Sequence, residues 1–550
     1  MHAKKMKTSK TTAILLALFI VFGASTDGFA IDREKAMRTN SNIRNIIVLI
    51  PDGMSTAGVT LTRWYNAYND TTGTFDTDKT MALDEMASGL VRNWWMNKGV
   101  VGAITDSAPA GTAIATGVKT NNKFIGVTDQ SIPVATILEA AKLKGKSTGL
   151  VSTSQVMHAT PAAFSSHYPD RSKEDIIAEQ QVHNEIDVVF GAGSNRLTDR
   201  ADKENLVSVL KNNGYTYITK GSELKGLTGK TWGMFAPSTN GAMRYEMDRT
   251  ELQPQEPSLA DMTKAAITIL AQNKKGFFLM VEGSKVDWAA HANDPVGVIS
   301  DVNAFDKAVK AALDFAKKDG KTMVLALTDH GNGGISIGDR NTTKGYDSAP
   351  LSQFIAPLKK ARLTGEGVEA KFNADKTNIK QVMSDFYGIT DLTAEEEAAI
   401  KATEKGNMNY TVGPMISRRA NIGWTTGGHT GEEITLYTYL PGNERITGTI
   451  DNTDISKISA GVWGIDLNKT TEELYNNAKA AFEAKGATVK VDNSNPNNPR
   501  MIVTKGNTVL IIPENKNFVL LNGSTVTNNG VNVNIKDVFF IPSKVIGLIK

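Results

Sequence analysis

The chain predicts an α/β fold: a doubly wound, mostly parallel sheet with helices on both faces, an inserted segment and a small C-terminal β appendage. Two observations lead there. Several short runs rich in Val, Ile, Leu or Phe show no polar–apolar alternation: Ile46 to Ile50, Thr148 to Val151, Val188 to Phe190, Phe277 to Val281 and Met323 to Leu327. Strands that read so continuously apolar are buried on both faces, which is the condition of a parallel sheet. Helical patterns separate several of them, for example Val134 to Leu143 closed by Gly145, as crossovers between parallel strands require.

In chain order, residues 1–30 read as a secretory leader. Lys4, Lys5, Lys7 and Lys10 precede the apolar run Ala13 to Phe22, and the small residues Gly28 and Ala30 stand where a signal peptidase reads its −3 and −1 positions. A run of about ten apolar residues is too short to cross a bilayer, so no transmembrane helix is expected after the leader is removed. No cysteine stands at the cleavage point, which excludes a lipid anchor there. The 550 residues include 61 basic and 58 acidic side chains; four Lys and Asp27 belong to the leader, leaving 57 of each sign. Zero net charge argues against the electrostatic footprint of a nucleic-acid or anionic-membrane binder. With no cysteine at all, a disulfide framework, a thiolate metal site and a cysteine nucleophile are excluded, so a catalytic metal must sit on His, Asp or Glu. The expectation is an exported protein, periplasmic or extracellular.

Residues 31–492 read as one catalytic domain. Ligands of doubly wound sheets bind outside the carboxyl ends of the strands, so the residues that follow each run matter most. Ile46 to Ile50 leads to Pro51, Asp52 and Gly53, Phe277 to Val281 to Glu282 and Gly283, and Met323 to Leu327 to Thr328, Asp329 and His330. A single carboxylate after a strand is ordinarily a helix cap or turn residue. Three on one sheet edge, with His291 and His330 beside them, point to a site. From about Asn341 to Arg419 the sequence becomes turn-rich and charged, with one acidic helix at Thr393 to Thr403, and reads as an insertion that returns before Trp424. The stretch Asn493 to Arg500 reads as a linker to a small all-β module at 493–550, with strand-like pieces at Met501 to Val503, Val509 to Ile512 and Phe539 to Ile541.

The chain holds seven His. Asp287 and His291, four apart, share one face if helical and can hold one ion. Asp329 and His330 are adjacent at a strand end, and His429 lies in the glycine-rich turn T-T-G-G-H-T-G. Three imidazoles with carboxylates and no thiolate suit Zn²⁺. For any one of these His, a structural hydrogen-bonding role is the plainer alternative. Ser107, in T-D-S-A-P-A-G, stands at the start of a small-residue helix with Pro109 in its early turn. Asp106 or Ser107 could serve only as an N-cap, but free N–H groups at a helix start also form an anion site, and a phosphoryl group would fit there.

The motifs P-D-G-M, T-D-S-A, H-A-T-P-A, V-E-G-S-K-V-D-W-A-A-H, T-D-H-G and G-G-H-T-G, in this order, resemble those of the metal-dependent alkaline phosphatases. The resemblance covers roughly residues 45–340 and resumes at 424–440. It implies that Ser107 is the nucleophile, that Asp287, His291 and His429 hold one zinc, and that Asp52, Asp329 and His330 hold a second. It also implies a third ion, usually magnesium, on Asp52, Glu282 and Thr160. Arg171, thirteen residues after His158, stands where the family places the arginine that clamps phosphate; its plain alternative is a solvated helix-start arginine between Asp170 and Ser172. His158 and Trp288 replace the aspartate and lysine of many bacterial relatives, which puts them in the outer shell of the third site and should alter the affinity for magnesium there. The family is usually dimeric, so a homodimer is expected.

Charge supports that implication. Asp52, Glu282, Asp287 and Asp329 would repel or protonate without cations. Three divalent ions and Arg171 would leave +3, matched by the −3 of a phosphate monoester dianion and a serine alkoxide. Small-molecule phosphate monoesters are therefore the expected substrates, with broad tolerance of leaving groups and activity rising toward alkaline pH. A phosphodiesterase or sulfatase on the same scaffold is the first alternative, although Gly111 stands where the sulfatase pattern S-x-P-x-R needs arginine. A non-catalytic envelope binding protein, with residues 493–550 as its working part, is the second.

Overall fold

In the computed structural model, which describes residues 42–237 and 241–550, strand β1 (Asn45–Pro51) runs through the middle of a ten-stranded sheet. The leader expected at 1–30 lies outside the described residues. The other strands are β2 (Ala87–Arg92), β3 (Ser147–Gln155), β4 (Val188–Ala192), β5 (Thr216–Ile218), β6 (Thr231–Met234), β7 (Phe277–Gly283), β8 (Thr322–Leu327), β9 (Ile434–Tyr439) and β10 (Thr449–Asp451). Their order is β10-β2-β9-β8-β1-β7-β3-β4-β6-β5. β9 runs antiparallel to both its neighbours, and the other neighbouring pairs are parallel.

Every residue of β1, β4, β7 and β8 is buried, as the unbroken apolar runs demand. Alternate side chains serve opposite faces: Ile46, Val48 and Ile50 join one core, Ile47 and Leu49 the other. Each such aliphatic side chain contributes about 1.5–3 kcal/mol relative to exposure. Helices α1 (Ser107–Thr116) and α2 (Ala159–Ala163) pack on the first face; α3 (Lys285–His291) and the 25-residue α4 (Pro295–Asp319) pack on the second. The helix expected at Val134 to Leu143 begins later, at Ile137. Thr136 accepts from the Glu139 N–H at 3.1 Å while Glu139 accepts from the Thr136 N–H at 2.9 Å, a reciprocal cap that sets the start.

Two regions differ from expectation. Residues 341–419 hold five helices rather than one: Leu351–Lys359, Gly365–Glu369, Ile379–Tyr387, Ala394–Ala402 and α5 (Met408–Arg419). Pro357 and Pro414 lie inside two of them and break the pattern a reader looks for, but the apolar residues between share a core with Leu61, Val296 and Ile299. At the C-terminus, Thr488–Asp492 pairs antiparallel with Arg500–Lys505, so 493–499 is a hairpin loop rather than a linker. That sheet continues through Thr508–Pro513, Phe518–Leu521 and Ser524–Thr527, and the chain closes with a short helix, Ser543–Ile546. Among the described residues no helix is long and apolar enough to cross a membrane.

Candidate active site

Strand register brings the acids together. Ile50 stands beside Glu282 and Pro51 beside Gly283, while Leu49 stands beside Ala326. Asp52, Glu282 and Asp329 therefore leave three neighbouring strands at one sheet edge, and all three are fully buried. Gly53 has φ +68°, and a Cβ there would meet Asp287 Oδ1 at 2.6 Å. Only glycine lets that turn and α3 approach so closely. The Gly53 N–H donates to Asp329 Oδ1 at 3.2 Å, which ties the β1 and β8 ends together.

The imidazoles enter from three directions. His291 follows Asp287 by one helical turn on α3, His330 follows β8, and His429 faces Asn332 across a short antiparallel bridge that precedes β9. Each turns Nδ1 to a backbone carbonyl: His291 to Gly427 O at 2.8 Å, His429 to Thr105 O at 2.9 Å and His330 to Gly331 O at 3.2 Å. A carbonyl only accepts, so Nδ1 carries the proton and Nε2 keeps its lone pair. Those lone pairs converge. His291 Nε2 lies 3.1 Å from His429 Nε2 and 3.4 Å from Asp287 Oδ2; His429 Nε2 is 3.7 Å from Asp287 Oδ1. His330 Nε2 is 3.5 Å from Asp52 and 3.3 Å from Asp329, and its ring stacks on His429 with centroids 3.6 Å apart. Asn332 holds the Asp287 carboxylate by donating from Nδ2 at 2.7 Å.

Ser107 is the first residue of α1 and 3% exposed. Its hydroxyl lies 3.1 Å from His330 Nε2. Asp106 occupies the N-cap position without capping; instead it accepts from Arg171 Nη1 at 2.7 Å. Arg171 Nη2 donates to His158 Nε2 at 3.0 Å. Burial and the Arg171 charge push His158 down to about 3, keeping it neutral. Although burial opposes ionisation of Asp106, the Arg171 charge and hydrogen bond hold it below the usual carboxylate range. Arg171 is thus anchored at both ends rather than solvated.

Among the described residues these carboxylates are short of partners. Both oxygens of Asp52, Oδ2 of Asp329, Oε1 of Glu282 and the Thr160 hydroxyl are buried without a hydrogen-bond partner, an arrangement that costs several kcal/mol unless compensated. Burial first, then repulsion from Asp329, Asp287 and Glu282, raises Asp52 well above its ordinary range; burial pushes Glu282 up to about 7. Ligand atoms come within mutual reach in three groups: Asp287, His330 and His429; Asp52, Asp329 and His330; and Asp52, His158 and Glu282. Donors and geometry fit divalent ions. His330 belongs to two of these groups and His158 to the third. A fourth acidic group, Glu179, Asp202 and Glu204, has cations of its own that offset two of its three charges: Lys516 pairs with Glu179 and Glu204, and Arg200 with Glu179 and Asp202.

A cleft of about 300 Å³ opens over this centre, lined by Asp106, Ser107, His158, Arg171, Asp287, Trp288, His291, Tyr410 and His429. Trp288 is braced by Lys285 Nζ, 4.6 Å from its ring, and meets His158 edge-on at 6.2 Å. Sequence reasoning missed Asn332 and Asp106 as positioning residues, though both adjoin recognised motifs. It also missed Tyr410, which no local pattern marks, because it lies in the helical insertion.

A family model described as alkaline phosphatase matches residues 43–463. Alkaline phosphatase 4 of Bacillus subtilis (strain 168) is 40% identical over 429 residues, covering 76% of this chain and 88% of that protein. The crystal structure of Thermus thermophilus alkaline phosphatase matches with a TM-score of 0.68 at 26% identity, over 78% of this chain and 92% of that one. A variant of TAB5 alkaline phosphatase, with aspartate in place of one histidine and Mg bound in its M3 site, matches with a TM-score of 0.55 at 27% identity, over 77% of this chain and 99% of that one.

Proposed function

Because the chain belongs to the alkaline phosphatase family and is a phosphatase, we propose that it hydrolyses phosphate monoesters through a covalent phosphoserine on Ser107, aided by two zinc ions and a third ion. The observation that carries this reading is the convergence of imidazole lone pairs and unpaired buried carboxylate oxygens beside one serine hydroxyl. Asp287, His291 and His429 would hold one zinc, and Asp52, Asp329 and His330 the other. Asp52, Glu282 and Thr160 would hold the third ion, with His158, whose single lone pair accepts from Arg171, beside them. When bound, the ions supply positive charge and Lewis acidity beside the nucleophile and the departing oxygen.

The chain's own residues do the rest. Ser107 Oγ gives up its proton to solvent and bonds to phosphorus as the bond to the leaving oxygen breaks, and the departing oxygen takes a proton from water to leave as the alcohol. Water then attacks the same phosphorus from the opposite side, releasing inorganic phosphate and restoring the Ser107 hydroxyl. The N-terminus of α1 directs its free N–H groups toward anionic oxygens on that phosphorus. Arg171, held by Asp106 and His158, offers its guanidinium fork to two phosphoryl oxygens. Arg171→Ala is expected to lower kcat/KM by about 2–4 kcal/mol, roughly 30- to 1,000-fold, and to weaken inhibition by inorganic phosphate. Steady-state kinetics with and without added phosphate check this; unchanged phosphate inhibition would remove Arg171 from the clamp.

Magnesium is the proposed third ion, and the TAB5 variant with Mg in its M3 site supports a magnesium position in the family. Here His158 supplies neutral nitrogen where a carboxylate would supply charge and oxygen, so binding should be weaker, because magnesium favours oxygen ligands. The sulfatase alternative finds no support at Gly111: a Cβ there would meet Ala163 Cβ at 3.0 Å, leaving no room for arginine. Export is part of the proposal and rests on the leader at residues 1–30. It predicts a mature protein in the periplasm or medium that begins at Ile31, which N-terminal sequencing checks; an intact Met1 there would reject cleavage.

A further inference from the structure

The 341–419 segment reaches the active cleft through Tyr410. This residue lies in the first turn of α5, is 56% exposed, and lines the same cleft as Ser107, Arg171, Trp288, His291 and His429. Its backbone is held firmly. Val412, Met415 and Ile416 bury the inner face of α5 in the insertion's core. Gly413 sits so close to the turn after His291 that a Cβ would meet Ala292 O at 2.9 Å. Ser417 Oγ donates to Asn293 O at 2.9 Å and accepts from Trp424 Nε1 at 3.0 Å. The helix is therefore keyed to the segment that carries Asp287 and His291.

The ring itself is uncommitted. The cleft's other large aromatic, Trp288, is engaged by Lys285 and His158. Among the described residues the Tyr410 hydroxyl has no hydrogen-bond partner, and the ring stacks on no other. Apart from the two aromatics, the cleft is lined by carboxylate, imidazole, guanidinium and hydroxyl groups, and Ser107 and Asp287 among them are buried where Tyr410 is exposed, which suits a phosphoryl group held deep in it. Whatever is esterified to that group must project toward the mouth, where Tyr410 offers an apolar, planar surface.

We infer that Tyr410 is a specificity-determining residue, the platform on which a planar leaving group rests, favouring aryl and nucleoside phosphate monoesters over small alkyl ones. This rests on the phosphomonoesterase reading. A ring contact at a partly exposed site is worth about threefold to tenfold in rate. The test compares kcat/KM of the wild-type, Tyr410→Ala and Tyr410→Phe enzymes, metal-loaded, on phenyl phosphate, adenosine 5′-monophosphate and ethyl phosphate. Tyr410→Ala should lose about threefold to tenfold on the first two and less than about twofold on ethyl phosphate, with Tyr410→Phe near wild type throughout. Equal losses on all three substrates, no loss on any, or a Tyr410→Phe loss matching that of alanine would overturn the platform while leaving the phosphatase reading intact. A wild-type enzyme inactive on every monoester would overturn both.

Discussion

Ser107→Ala is expected to lower kcat/KM by about 10⁴- to 10⁶-fold, some 5–8 kcal/mol of barrier, and to abolish the covalent phosphoenzyme. The size follows from the place of the hydroxyl. It sits at the helix start, beside His330 Nε2 at 3.1 Å and in the cleft that Arg171 also lines, and the proposed route has no other nucleophile until the phosphoserine has formed. The fold should scarcely notice, because alanine is a good helix former and the lost hydrogen bond is worth only about 1 kcal/mol. Acid quenching during turnover of radiolabelled substrate, followed by peptide mapping, is the measurement. Label on a residue other than Ser107, or an alanine variant with near-normal kcat/KM, would sink the covalent route.

Chelation should have the second-largest effect: turnover falling by at least about 100-fold, restored by zinc and raised further by magnesium. It should also change the pH dependence of stability. Without cations, Asp52 lies well above its ordinary range and Glu282 at about 7. A carboxyl whose folded pKa is raised contributes stability that is complete below its unfolded pKa and is lost as pH rises through the folded value. The chelated protein should therefore lose stability between about pH 5 and 8. The metal-loaded protein should be protected there, by about 4 kcal/mol when free metal is about 1,000 times its dissociation constant. Asp301 and Asp248, raised by burial to about 8 and about 7, lie outside the three ligand groups and cancel in the comparison. Thermal melts of both forms across that range test it. Full activity after exhaustive chelation, or identical melting profiles, would contradict the metal-centred reading.

The sheet was legible because its strands are buried on both faces, so Ile46 to Ile50, Phe277 to Val281 and Met323 to Leu327 carry little but apolar residues and stop at chemistry. The helical insertion was less legible. Pro357 and Pro414 interrupt its patterns, and its apolar residues find partners on Leu61, Val296 and Ile299, far away in sequence. Thr488–Asp492 was hidden for another reason: its strand identity depends on pairing with Arg500–Lys505 across a polar loop that reads as a linker.

What the sequence by itself determined is the inventory: which residue types end each strand, the helical spacing of Asp287 and His291, the serine before a small-residue helix, and the absence of thiols. Such features are local, and local sterics and polarity read directly from the order of residues. Only the tertiary structure decided that His330 adjoins two ligand groups, that His158 reaches Asp52 and Glu282, that Asp106 anchors Arg171, and that Tyr410 lines the cleft. These depend on strand register and on long-range packing of one element against another, where a shift of one residue would turn every side chain the other way.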